Sequence, residues 1–127
     1  MTRSHRMALR IAAWFCVALL AFLALVPGDF QIRTPAPGLL EHVVAYLGTA
    51  ILFALSYPDM RYRIAALLIA YGGVLEAMQS FSPGRHPTEL DASASALGVI
   101  LGISLGAILV TRPQQEPGAS DGGERTY

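Results

Sequence analysis

The chain has 127 residues, 54% of them hydrophobic and only 14% charged, and its nine basic residues are all arginine, balanced by nine acids to a formal net charge of zero. Average soluble domains carry roughly 25% charged residues, so the composition points away from an ordinary soluble domain, and the neutral balance leaves no electrostatic footprint for nucleic acid. The length fits one domain, and the single cysteine, Cys16, excludes an internal disulfide.

The apolar residues gather into four blocks with the charges mostly between them. A bilayer-spanning helix needs roughly 20 mostly apolar residues. The first block covers residues 7–26, with Arg10 near one end and able to snorkel, and stops at Pro27-Gly28-Asp29. Its basic start and apolar core also fit a signal peptide. The run Leu23-Ala-Leu-Val-Pro27, however, offers no small-x-small cleavage site, so a retained helix is expected. Cys16 inside this block reads as a small buried hydrophobe; a thiol, metal or lipidation role is the lesser alternative.

The second block covers 40–57 and ends at Pro58-Asp59; the third covers 63–81 and ends at Ser82-Pro83-Gly84; the fourth covers 91–110 and ends at Arg112-Pro113. None shows the period-2 alternation of a barrel strand. Each is apolar nearly all round, as a lipid-embedded helix should be. The expected fold is therefore all-α, a four-transmembrane-helix bundle over residues 1–112. The polar, Gly-rich stretch 113–127 reads as a disordered tail.

Arginine placement sets the expected orientation. Arg3, Arg6, Arg10, Arg61, Arg63, Arg112 and Arg125 fall on one side of such a bundle, and Arg33 and Arg85 on the other. Both termini should then be cytoplasmic, with residues 29–41 and 82–91 facing outward.

That topology brings polar groups together near the outer surface, where ionisable side chains inside an apolar layer are expensive and usually employed. His42 and Tyr46, four apart, share a face at the start of the second block. Glu76 and Gln79, three apart, share a face near the end of the third. Asp91 opens the fourth, with Ser95 one turn deeper. Each has a plain alternative. Glu76 could lock the bundle by an inter-helix hydrogen bond, or act as a ligand-binding or acid–base carboxylate. Gln79 could be inter-helix glue. His42 could anchor at the interface, and Tyr46 could pack with its hydroxyl on a neighbour. Asp91 could cap its helix. Arg85, in a Pro-Gly-Arg-His-Pro turn, could pair with Glu76, Glu89 or Asp91, or fork a phosphate or carboxylate. Of these, Glu76 is expected to meet Arg85, with His42 as the other possible partner.

Gly98, Gly102 and Gly106 form a four-residue ladder that allows close helix approach. Gly72-Gly73 reads as a similar close crossing. Trp14 and Tyr57 read as interfacial or packing aromatics. No metal-spaced His/Cys set is present, and no cofactor is expected.

Two stretches, Glu41-His42-x-x-Ala45-Tyr46 and Glu76-x-x-Gln79-x-Phe81-x-Pro83-Gly84-Arg85, with Asp91 seven residues before Gly98 and eleven before Gly102, resemble the VanZ-like family of small bacterial membrane proteins. That family is named after an accessory glycopeptide-resistance protein. The pattern departs at Gly38 and Leu39, where the family often has Asp and Lys, and at Ser95, where it often has Asn. Ser95 keeps a hydrogen-bonding group without the amide's reach. The missing Lys charge weakens a phosphate-holding role.

The resemblance implies a bacterial membrane protein with a role in glycopeptide tolerance, and the leading reading of the residues is a non-enzymatic protein of the inner membrane. Its partners would be membrane lipids and a lipid-linked or anionic envelope ligand, a cell-wall precursor or a glycopeptide-like molecule, bound at the outer face. Two other readings stand beside it. One is a membrane enzyme on a lipid-linked substrate, with His42, Glu76 and Asp91 as acid–base groups; against it, the chain has no Gly-x-Ser-x-Gly, His-Glu-x-x-His or P-loop. The other is a structural accessory subunit.

Overall fold

The computed structural model describes residues 2–30, 37–84 and 86–111, so Arg33, Arg85, Arg112 and the expected tail lie outside the described residues. Four helices form: α1 (Arg3–Leu25), α2 (Gly38–Ser56), α3 (Arg61–Gln79) and α4 (Glu89–Thr111). No strand occurs among the described residues. Local chemistry sets the ends. Thr2 caps α1, its side-chain oxygen accepting from the His5 backbone N–H at 3.3 Å. Val26, just before Pro27, turns to extended backbone (φ −61°, ψ 132°), because the proline ring disfavours helical backbone in the residue before it. Tyr57 leaves the helix for the same reason before Pro58. A single 3₁₀ turn, Pro58–Met60, then leads directly into α3. Gly84, at φ 75°, supplies the left-handed residue of the α3–α4 turn.

The expected blocks match these helices to within two to four residues at most ends. The expectation of four spans is met in part. Three helices, α1, α2 and α4, are long and apolar enough to cross a membrane. α3 falls short because Arg61, Arg63, Glu76 and Gln79 all lie within its 19 residues.

α2 sits at the centre of the bundle and packs most closely against α4. The glycine ladder is the reason. A Cβ at Gly98 would lie 2.5 Å from the Val43 carbonyl oxygen, one at Gly102 2.5 Å from that of Leu47, and one at Gly106 2.5 Å from Ala54 Cβ. Backbone on α4 therefore rests directly on α2. The contact advances in the same direction along both chains, so α2 and α4 run parallel. α1 is antiparallel to α2: Trp14 meets the Phe53 ring edge-to-face at 5.5 Å, and the Arg10 guanidinium lies 4.6 Å from the centre of the Tyr57 ring. Tyr57 is thus a packing aromatic, Trp14 touches Phe53 while staying 59% exposed, and Arg10 finds an aromatic face.

The core is small-residue rich: Ala13, Ala50, Ala54 and Val99 are buried with Tyr46, Phe53, Leu68 and Ile103. Hydroxyls inside the helices bond to their own backbone, as with Thr49 to the Ala45 carbonyl at 2.8 Å and Ser56 to the Leu52 carbonyl at 2.6 Å. The exterior is apolar. Ile11, Phe15, Phe22, Leu67, Val74, Leu97 and Ile108 are all exposed, as suits helices apolar enough to cross a membrane.

The Gly72-Gly73 expectation divides. Gly72 faces the Tyr46 ring, where a Cβ would come within 3.3 Å, whereas nothing lies within 4 Å of a Cβ at Gly73. α1 and α3 are joined by the Tyr71 hydroxyl, which donates to the Val17 carbonyl at 2.6 Å. Tyr71→Phe removes this donor alone. It is expected to lower stability by on the order of 1 kcal/mol, read as a lower melting temperature in detergent micelles without loss of helix content.

Candidate functional site

One end of the bundle is closed by two loops that touch. The Gly28 backbone N–H donates to the Pro83 carbonyl at 3.2 Å, and a Cβ on Gly28 would strike the Gly84 carbonyl oxygen at 2.6 Å. This places the start of α2, the end of α3 and the end of α1 side by side. Between them is a half-open cleft of about 130 Å³. Leu20, Leu23 and Ala24 of α1 form its apolar wall, and Glu41, His42, Tyr46, Glu76 and Gln79 supply polar groups from α2 and α3. Drug-sized sites run to roughly 300–1,000 Å³, so this one has room only for a small group.

His42 reaches across from α2. Its Nε2 lies 3.1 Å from Glu76 Oε1, and its Nδ1 lies 3.0 Å from the Gly38 carbonyl oxygen. A carbonyl only accepts, so Nδ1–H donates to Gly38. The Nε2–Oε1 contact therefore holds a second proton, either on an imidazolium facing a carboxylate or on a carboxylic acid facing a neutral ring. Glu76 is 9% exposed, and its second oxygen is also shut off from the surface. A charge or acid this deep is tolerated because it is tied to α2 across the helix gap.

One turn deeper than His42, Tyr46 is buried against Gly72. Its hydroxyl is within hydrogen-bonding reach of Ser95 on α4 and lies near Tyr71 and Glu76. Ser95 can accept it because its own proton goes to the Asp91 carbonyl at 3.0 Å. Gln79, one turn from Glu76 on the same face of α3, is buried at the cleft edge.

The structure thus brings His42, Tyr46, Glu76 and Gln79 to one cleft, with Ser95 beneath it. Asp91 is not among the lining residues. Its Oδ2 accepts from the Thr88 backbone N–H and the Thr88 hydroxyl, both at 2.9 Å, so the carboxylate satisfies a free N–H at the start of α4, one arm of a capping box. The capping alternative accounts for it. Gly98, Gly102 and Gly106 serve the α2–α4 contact. Arg85 lies outside the described residues, and with it the expected Glu76–Arg85 pair; among the described residues the partner seen for Glu76 is His42.

Sequence reasoning passed over Glu41 as a lining residue and the α1 wall entirely. The signal for the wall was present: Leu20, Leu23 and Ala24 follow the 3–4 spacing of one helix face. In a helix apolar all round, that spacing does not distinguish a cleft wall from lipid contact. Among the described residues no three His, Cys, Asp or Glu side chains converge as a metal site. No protein-family model, no curated protein and no solved structure matches this chain.

Proposed function

We propose that this chain is a VanZ-like integral protein of the bacterial inner membrane, with four spanning helices and cytoplasmic termini, that binds an envelope component at the outer face without transforming it. The ligand class is a small polar or anionic headgroup carried on a lipid or cell-wall precursor, or a glycopeptide-like molecule. The observation that carries the reading is the cleft: a hydrogen-bonded His42–Glu76 pair and Gln79 beside an apolar α1 wall, at the end of a helix bundle with an apolar exterior. Polar groups within an otherwise apolar layer mark a binding function by default.

Two arguments support a fourth span. α2 and α4 run parallel, so α3 has to return along the bundle between them. Its 19 residues reach about 28 Å, close to the roughly 30 Å of a bilayer core. Its basic residues Arg61 and Arg63 sit at its start, and its cleft residues at the other end. The α1 wall supports a retained first helix. The arginine bias supports the orientation, which puts the cleft outside.

The enzyme reading keeps one favourable observation, an imidazole held by a carboxylate at 3.1 Å, the arrangement of an oriented base. Its third member, Asp91, is engaged by Thr88 instead.

Native mass spectrometry of the protein extracted with its lipids tests the binding reading. A retained adduct is expected in the intact protein, with occupancy falling at least about ten-fold in Glu76→Ala and Arg85→Ala variants that still insert, as loss of a charged contact predicts. Equal occupancy in all three would overturn it. Turnover of a lipid-linked substrate, lost in Glu76→Gln, would replace binding with catalysis. Cysteine labelling beside Arg85 only from the cytoplasmic side would reverse the orientation.

A further inference from the structure

The opposite end of the bundle carries a second feature that the cleft does not use. The first two turns of α1 present Arg3, Arg6 and Arg10 at spacings of three and four, so the guanidinium groups share one face. Met7, Ile11 and Trp14 lie alongside, and together the six line an open groove. All three apolar side chains are exposed. Polarity changes along the groove: arginine dominates toward the helix start, and Ile11 and Trp14 lie deeper. Residues 3 to 14 span about 17 Å of helix at 1.5 Å per residue, long enough to reach from a headgroup layer about 5–8 Å thick into the acyl region.

Among the described residues no ion pair neutralises this charge. No acid lies in the first turn of α1, and the first acidic residue in the chain is Asp29. Asp59 sits at the same end, in the 3₁₀ turn, but the described residues pair it with none of the three. Arg10 is held in place from the side, its guanidinium 4.6 Å from the Tyr57 ring centre, which leaves its outer N–H groups free to point to an oxyanion. A dissolved phosphate would use the arginines and leave the apolar half bare, whereas a lipid covers both.

We propose that this groove is a binding site for an anionic phospholipid of the adjacent leaflet, its phosphate on Arg3, Arg6 and Arg10 and an acyl chain along Met7, Ile11 and Trp14. The site rests on α1 lying in the bilayer and is independent of what the cleft binds. Charge neutralisation by three arginines at a membrane surface favours anionic over zwitterionic headgroups, and the forked guanidinium suits phosphate oxygens.

Trp14 is the only tryptophan, so its fluorescence reports this groove directly. The full chain is reconstituted in phosphatidylcholine vesicles containing either brominated phosphatidylglycerol or brominated phosphatidylcholine at equal mole fraction. Quenching by the anionic lipid should correspond to a relative association constant of about five or more, and the excess should shrink at high salt. Arg3→Gln with Arg6→Gln should bring the ratio toward about one, while Arg3→Lys with Arg6→Lys keeps most of it, since surface attraction follows charge. Equal quenching by the two lipids in the unaltered chain overturns the proposal alone. Quenching by neither overturns it together with the membrane placement of α1, whatever the cleft does.

Discussion

Gly102→Leu is expected to be the most damaging single substitution in this chain. A Cβ there would sit 2.5 Å from the Leu47 carbonyl oxygen and 2.7 Å from Ala50 Cβ. Both obstacles lie on the facing helix, and one is backbone, so no rotamer change relieves them. α4 would have to move off α2, and Val99 and Ile103, which are buried in the same contact, would move with it. Overpacking of this kind typically costs about 1–3 kcal/mol and sometimes more; with backbone on one side the upper end applies. A fall in melting temperature in detergent on the order of 10–20 °C is the corresponding readout. Gly73→Leu is the control, because nothing lies within 4 Å of a Cβ at Gly73. It should melt within a few degrees of the parent chain. Similar losses at Gly73 and Gly102 would mean that α2 and α4 do not meet along the ladder.

The second large effect is expected at the His42–Glu76 pair. Removing one partner of a fully buried pair costs about 3–5 kcal/mol, because the other is left without its counterpart; here His42 keeps 26% side-chain exposure, so each single loss should fall below that range and below the loss at Gly102. A cycle of His42→Gln, Glu76→Gln and the double variant, followed by thermal melting, should therefore show coupling of about 1–3 kcal/mol. The double variant should be less damaged than the two single losses added together. Additive losses would show that the 3.1 Å contact contributes nothing to stability. Repeating the cycle with Arg85→Gln in place of His42→Gln measures the partner expected from the sequence. Coupling in both cycles would make Glu76 the hub of a three-residue network.

These melts also separate ligand binding from a purely structural role. If the polar residues only lock helices together, every polar substitution lowers the melting temperature and no lipid extract raises it. If the cleft is a binding site, the parent chain shifts upward with its ligand by mass action, and Gln79 or Glu76 variants do not.

Helix existence was legible in the chain because it follows from local rules. The four apolar blocks are bounded by Pro27, Pro58, Pro83 and the Asp91 cap, and each acts on its own neighbours through fixed φ, a missing donor or a cap. The pairs His42/Tyr46 and Glu76/Gln79 were legible for the same reason, since helical spacing alone puts each pair on one face. The Gly98–Gly102–Gly106 ladder was legible as a close contact. Its partner helix and its parallel direction were not, because nothing in a stripe of glycines says which backbone will lie against it. Tertiary packing also decided that Glu76 meets His42 and that Leu20, Leu23 and Ala24 face a cleft. In a helix apolar all round, every face carries the same signal, and only the packing of the other helices turns one of them into the wall of a site.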